Sequence, residues 1–322
     1  MRKFRRLTLA AITVFVAGVA ALPALAQQTR VTYKSAAAGT AYYQMGVELS
    51  EAIKAGTDGA VTVTLEESQG SVQNVMAVMR RGGNYVFTTP PSLVTKAMAG
   101  KGPFEGRPAS AFGKIRGLFP IPAITMHWVV KGGDGVIGLK DLAGRHILIG
   151  RGSFGAREAQ RYLELFELTD DVRIADADIG SGPDALKNGQ IDGFVTASSF
   201  PTPNVIETAA SLDISLVSLT PEQIERTGAA HQTIPAGTYA GIDEDVETTS
   251  LPVIAYTTTG MDEETAYTLT RTFWERREAM ADESGWWAGI TPEMIGNMTG
   301  KLHPGALRYY DEAGIEVPER LR

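Results

Sequence analysis

The stretch Arg30–Glu66, RVTYKSAAAGTAYYQMGVELSEAIKAGTDGAVTVTLE, decides the fold class. Arg30–Ser35 reads as a strand, Tyr43–Ala55 as a helix and Val61–Glu66 as a second strand, with Val72–Arg81 following as another helix. Strand, helix and strand in that order put parallel strands under a covering helix. The rhythm returns after Asp141: His146–Gly150 is an apolar strand, Arg157–Glu167 an amphipathic helix, Val172–Ala175 a strand and Pro183–Asn188 a short helix. Two similar units predict an α/β fold of two lobes.

A local echo falls where that rhythm expects it. Gly82-x-x-x-x-Phe87-x-Thr89 and Gly189-x-x-x-x-Phe194-x-Thr196 each follow a helix and lead into a small-residue loop with proline. Glycine ends the helix, phenylalanine enters the core and threonine marks the end of the strand. Between the units, Phe119–Ile124 with Pro120 and Pro122 reads as an extended crossover into a strand over Thr125–Lys131. A second extended stretch, Ile234–Thr258, precedes a long helix from about Glu263 to Met280, capped by Asp262. Two crossings imply two lobes joined by a double hinge. The expected division is 27–122 for the first part of lobe 1, 123–251 for lobe 2 and 252–322 for the return to lobe 1.

The first 26 residues differ from the rest. Arg2, Lys3, Arg5 and Arg6 form a basic head, Leu7–Leu22 is almost wholly apolar, and Ala24-Leu25-Ala26 is a small-x-small cleavage pattern. This reads as a secretory signal peptide cleaved after Ala26, which predicts a periplasmic protein with no stable membrane insertion after cleavage. Losing those four of the 30 basic residues leaves 26 against 37 acidic ones, a net charge of −11. A body that acidic argues against nucleic acid as a partner. The chain of 322 residues has no cysteine, so its stability rests on core burial and not on cross-links.

Three loops share one physical logic: a strand ends, small residues follow, and a helix begins with free backbone N–H groups. They are Gly39-Thr40-Ala41-Tyr42-Tyr43, then Gln69-Gly70-Ser71 before the helix that carries Asn74, and Arg151-Gly152-Ser153-Phe154-Gly155. At the C-terminal ends of strands in two lobes, such loops favour an anionic ligand. Arg151 adds a forked donor suited to a carboxylate. Tyr42 and Tyr43 supply rigid apolar area with a polar tip, one of the pair packing inward. Gly150-x-Gly152-x-x-Gly155, with Asp170 and Asp171 downstream, also matches a dinucleotide fingerprint, but it lies mid-chain in an exported protein. Arg151 stands where a nucleophile elbow around Ser153 wants glycine. His127, His146, His231 and His303 are scattered singly, so neither a metal site nor a catalytic residue is assigned. No cofactor is expected.

Further segments carry a family likeness. They are Ala38-Gly39-Thr40-Ala41-Tyr42-Tyr43, Ser68-Gln69-Gly70-Ser71-Val72-Gln73-Asn74, Leu139-Lys140-Asp141-Leu142-Ala143-Gly144-Arg145, Phe200-Pro201-Thr202-Pro203-Asn204, Thr233-Ile234-Pro235-Ala236-Gly237-Thr238-Tyr239 and His303-Pro304-Gly305-Ala306-x-x-Tyr309-Tyr310. In this order they resemble the TAXI family of solute-binding proteins of TRAP transporters. The resemblance implies a periplasmic-binding-protein-like (type II) fold and a non-enzymatic receptor. It would close on a small organic acid, glutamate, 2-oxoglutarate or a related C4–C5 dicarboxylate, and hand it to a sodium-coupled TRAP permease. Its family contacts fall on Gly39, Thr40, Tyr42 or Tyr43, on Gln69, Gly70, Ser71 and Asn74, and on Ser153–Gly155. Thr88 and Thr89 join the expected set, with Ser198 in the loop after Phe194 that closes the cleft. The chain departs from the family at Ala41, at Phe154 and over Gly82-Gly83-Asn84-Tyr85. Two rival readings remain: an exported enzyme using the Gly150–Gly155 loop for a phosphate- or dinucleotide-containing ligand, and an interaction protein presenting Trp286 and Trp287 to a partner.

Overall fold

A computed structural model describes residues 28–322, so the leader expected over residues 1–26 lies outside the described residues. The first lobe opens with β1 (Thr29–Lys34), α1 (Ala41–Gly56), β2 (Val61–Glu66), α2 (Ser71–Ala77), β3 (Tyr85–Thr89) and α3 (Pro91–Met98). One long strand, β4 (Ile115–Lys131), carries the chain into the second lobe. There follow β5 (Gly135–Gly138), β6 (His146–Leu148), α4 (Phe154–Leu165), β7 (Arg173–Ala175), α5 (Gly182–Lys187), β8 (Gly193–Ser198), α6 (Pro203–Ser211), β9 (Ile214–Ser218), α7 (Pro221–Thr227) and β10 (Ala230–Ile234). A second long strand, β11 (Val246–Thr258), returns to the first lobe, which ends with α8 (Glu263–Glu283), β12 (Lys301–Leu302) and α9 (Pro304–Glu312).

The strands run β2-β1-β3-β11-β4-β8-β6-β7 along one curled sheet. β1 pairs in parallel with β2 and β3, and β6 in parallel with β7 and β8, as the two βαβ units require. β4 and β11 lie antiparallel to each other at the centre. Their register slips between Leu251↔Ile124 and Val253↔Ile121, which leaves Pro122 and Pro252 at the irregularity. Proline has no N–H for the ladder and is tolerated at such places. The expected crossover over Phe119–Ile124 is therefore not separate from the strand after it but part of one 17-residue strand. The stretch Ile234–Thr258 is instead divided, residues 235–245 forming a loop between β10 and β11.

Caps and turns account for the shifted helix ends. Ser153 accepts the Ala156 N–H at 2.9 Å, so α4 begins at Phe154, ahead of the expected Arg157. Thr40 caps α1, which therefore starts at Ala41. After Ala77 the bonds tighten to Val78→Val75, Met79→Met76 and Arg80→Ala77, which ends α2 short of Arg81.

The core has separate bodies. One draws on residues from Val31 to Ile124 and from Val253 to Leu321, with Phe154 as its only member from α4. The second lobe carries one core on each face of its sheet, as strand alternation dictates: Trp128, Val130, Ile147 and Val195 face one side, Val129, Leu148 and Phe194 the other. Phe87 and Phe194, the phenylalanines of the sequence echo, are both fully buried, one in each lobe.

Candidate functional site

Where the strands of the two lobes end, a cavity opens between them. Ser35, Ala36 and Ala37 follow β1, Thr88 closes β3, and Val195, Thr196 and Ala197 belong to β8. Thr40 and Tyr42 come from the start of α1, Gln69, Gly70 and Ser71 from the start of α2, and Ser153, Phe154 and Gly155 from the start of α4. Ile124 and Val253 of the crossing strands and Ile179 complete the lining. The cleft holds about 640 Å³ of space free of atoms, its open mouth included, of which about 80 Å³ admits the centre of a water-sized sphere. That is room for a small solute.

Buried hydrogen bonds fix the first-lobe wall. Asn74 Nδ2 donates to the carbonyls of Ser35 and Thr88, each at 2.8 Å, tying the ends of β1 and β3 together. Ser68 Oγ donates to the Ser35 carbonyl at 3.0 Å, and Ser35 Oγ to the Tyr42 carbonyl at 2.5 Å. Tyr42 is buried, and its hydroxyl donates to the Pro122 carbonyl at 2.5 Å, which ties α1 to the crossing strand β4. The inward member of the tyrosine pair is therefore Tyr42.

Two glycines set close approaches at the cleft, Gly70 between the lobes and Gly155 within the second lobe. Gly70 has φ +122°, and a Cβ there would lie 3.3 Å from Ser153 Cα in the other lobe. A Cβ on Gly155 would lie 2.7 Å from the Ala197 Cβ, so only glycine lets α4 sit this close to β8. Between them Phe154 reaches out of the second lobe into the first-lobe core.

Of the residues expected from sequence, Thr40, Tyr42, Gln69, Gly70, Ser71, Thr88, Ser153, Phe154 and Gly155 line this cavity. Gly39, Tyr43, Asn74, Thr89 and Ser198 do not. Gly39 turns the loop with φ +81°, and Tyr43 donates its N–H to the Thr40 cap. Asn74, Thr89 and Ser198 are buried behind the wall, and Asn74 Oδ1, Thr89 Oγ1 and Ser198 Oγ have no hydrogen-bond partner among the described residues. Arg151 is a correction. Its guanidinium donates to Asp176 Oδ1 at 2.6 Å and to the Asp176 carbonyl at 2.7 Å. With Gly152 it lines a separate surface depression, because the acid within its reach is its neighbour on the β7–α5 loop and not a group in the cleft. Trp286 and Trp287 are also engaged: both indole N–H groups donate to Glu48 Oε2, at 3.0 and 2.7 Å, and Trp287 is buried.

The histidines stay apart. His127 is buried against Tyr239, His146 opens β6, His231 pairs with Glu247, and His303 caps α9. Sequence reading missed Ser35, Ala36, Ala37, Ile124, Ile179, Val195, Thr196, Ala197 and Val253 as lining residues. Ser35 ends a strand in the same way as Thr88, and that position was the available signal. Ile124, Val195, Thr196, Ala197 and Val253 reach the cleft only through the pairing of β4, β8 and β11, and Ile179 comes from the turn ahead of α5.

Among the described residues, Tyr42 brings the cavity its only ionisable side chain. Lys34, at the end of β1, is held by Glu66 Oε1 at 2.8 Å and the Glu67 carbonyl at 2.9 Å. Among the described residues no helix is long and apolar enough to cross a membrane.

Comparison with known proteins places this geometry. The sequence profile of the NMT1-like family matches residues 34–314. Among solved structures, the periplasmic binding protein BugD is similar over 90% of this chain and 99% of its own, at 12% identity and a TM-score of 0.52. A protein of Bordetella bronchiseptica RB50 is similar over 91% of both chains, at 17% identity and a TM-score of 0.49. A TRAP periplasmic solute binding protein from Ochrobactrum anthropi is similar over 90% of this chain and 88% of its own, at 16% identity and a TM-score of 0.45. The likeness to BugD is one of fold: two α/β lobes in the periplasmic-binding-protein-like arrangement.

Proposed function

The chain belongs to the NMT1-like family, and from the cavity between its lobes we propose that it is a periplasmic receptor that captures a small organic acid and performs no chemistry on it. The observation that carries this reading is the composition of the cavity wall. Both lobes contribute strand ends and helix starts, and among the described residues no acid–base pair or nucleophile–base pair faces the space. Such a wall binds and orients its solute.

Capture in this reading is closure. The lobes, 27–122 with 252–322 on one side and 123–251 on the other, turn about β4 and β11, where Pro122 and Pro252 leave the ladder weakest. A solute that touches both walls favours the closed form by its differential affinity. The starts of α1 and α4 point positive ends at the solute from opposite lobes, and each supplies about 0.3–1 kcal/mol to an anionic group. The segments that resemble the TAXI family support a TRAP permease as the recipient, reading occupancy from the shape of the closed receptor. They also favour acids of the glutamate and 2-oxoglutarate class as the first to try.

The test is thermal unfolding of the leader-free, ligand-stripped protein against organic acids, amino acids, sugars and nucleotides. A ligand at 100 times its Kd adds about 2.7 kcal/mol, a shift of several degrees. A response confined to acids is the expected result. A response confined to nucleotides would overturn the receptor reading in favour of a phosphate-binding role for the Gly150–Gly155 loop.

A further inference from the structure

We propose that a groove behind the crossing strands is the counter-surface of the hinge. Its two walls, one from each lobe, pack on each other when the cleft opens, so that residues out of reach of the solute set how readily the receptor closes. This rests on the receptor reading above and concerns its motion, whatever the solute.

Strand alternation separates the two spaces. Ile124 lines the cleft, whereas its neighbours on β4, Ala123 and Thr125, line a groove on the other side of that strand. The groove takes a wall from each lobe. Phe200, after β8, and Gln232 of β10 stand on the second-lobe side, where Phe200 packs against the core that holds Val129 and Phe194. Trp286 and Met294, from the segment after α8, stand on the opposite side and pack against the first-lobe core. The bond from the Trp286 indole to Glu48 holds that wall to α1.

In this conformation the lobes are turned forward. The front walls are close, with the Cβ position of Gly70 at 3.3 Å from Ser153 Cα and Phe154 joined to the first-lobe core. The space that admits the centre of a water-sized sphere is about 80 Å³ in the cleft and about 350 Å³ in the groove behind it. A rotation about β4 and β11 that parts the front walls brings the rear walls together. Phe200 then meets Trp286 and Met294, and the apolar area they cover favours the open form. Closure on a solute separates these surfaces again. Gly289 and Gly285 leave the room for that contact, because a Cβ on either meets nothing within 4 Å here. A large side chain at these positions is accommodated with the cleft shut and excluded when the rear walls approach. The resulting shift towards the closed form raises the affinity for any solute without a change in the cleft.

The experiment measures the distance between two spin labels across the mouth of the cleft in the leader-free, ligand-stripped protein. The chain has no cysteine, so Ala38→Cys and Ser181→Cys supply the only labelling sites. Both positions are exposed, Ala38 beside Ala37 on the first-lobe lip and Ser181 just past Ile179 on the second. Electron paramagnetic resonance should give a shorter and a longer distance, the longer belonging to the open form. Gly289→Leu is expected to cut the longer-distance fraction about threefold or more, and Gly285→Leu to shift it the same way. Gly289→Ala, whose methyl is too small to span the groove, should leave it nearly unchanged. Circular dichroism checks that each variant folds. An unchanged fraction in both folded leucine variants overturns the role given to the groove and leaves the receptor reading standing. An equal loss in Gly289→Ala overturns it as well, because packing between the rear walls requires bulk. A single short distance in the parent and in every variant means that the lobes do not part, and removes closure from the receptor reading together with this proposal.

Discussion

At Gly70 a single missing Cβ serves the backbone and the cleft at once. Its φ of +122° and ψ of −172° lie in a region that side chains scarcely enter, and Ser153 Cα of the opposite lobe sits where a Cβ would press. Gly70→Ala should cost about 1–3 kcal/mol in backbone strain, part of which is relieved by parting the lobes. The expected outcome is a lower urea midpoint together with weakened solute binding. Unchanged affinity at reduced stability would show that the contact with Ser153 does not govern closure. Gly70, Ser71 and Ser153 were legible because small residues between a strand and a helix announce free N–H groups from sequence alone. Arg151 was misread because its partner, Asp176, is brought to it by the β6–β7 pairing. Thr196 was visible only as half of a repeat, and its place on the wall depends on β8 lying beside β4.

Helices hold their place through polar clamps as much as through apolar stripes. Glu48 on α1 accepts from Ser284 Oγ at 2.8 Å and from both indoles of Trp286 and Trp287, which fastens α1 to the segment that follows α8. Trp287 also packs edge-on against Phe273 of α8, with ring centroids 6.1 Å apart. Glu48→Ala removes the acceptor from two indoles, one of them buried, and hydrogen bonds to a charged group contribute about 1.5–3 kcal/mol. The partial exposure of Glu48 places the expected loss near the lower end of that range. Urea unfolding followed by tryptophan fluorescence measures it, and an unchanged midpoint would mean that water replaces the carboxylate at no cost. The strands β1 and β2 and the helix after Asp262 could be read from pattern and caps. β4 could not be read as one strand, because Pro120 and Pro122 set an extended crossover apart from it, whereas Pro120 pairs in register with Ile254 and only Pro122 falls at the irregularity, near Pro252.

Across the whole molecule, the alternation of strand and helix carried the α/β class, and the two extended stretches carried the pair of crossings. Which lobe faces formed the cleft wall came only from the sheet order. That order also buries His127 on β4, and its titration makes a prediction for the entire fold. Tyr239 Oη accepts the Thr202 N–H at 3.0 Å, so its own proton goes to His127 Nε2 at 3.0 Å, which leaves Nδ1 to donate to the Thr125 carbonyl at 3.0 Å. The ring is thus held neutral. Burial lowers its pKa from 6.5 to about 4, against the opposing hydrogen bond to Thr125. Between pH 6.5 and about 4 the unfolded chain binds a proton at His127 that the native ring refuses, so stability is full above pH 6.5 and falls as pH drops towards 4. A tenfold change in proton affinity corresponds to about 1.4 kcal/mol, so the loss from His127 is on the order of 3 kcal/mol. Burial also lowers the pKa of His303, which adds a loss of the same sign. Carboxylates such as Glu66 act lower on the scale: burial disfavours its charge, but hydrogen bonds from Lys34 and Arg81 outweigh that and hold it below its ordinary range. Urea midpoints from pH 7 to pH 4 should therefore decline in the wild-type chain and decline less in His127→Gln, with the remaining slope belonging to His303 and, below about pH 5, to carboxylates such as Glu66. Equal slopes in the two proteins would show that His127 takes up its proton in the native state at its ordinary pKa, and that the Thr202–Tyr239–His127 chain does not hold the ring neutral.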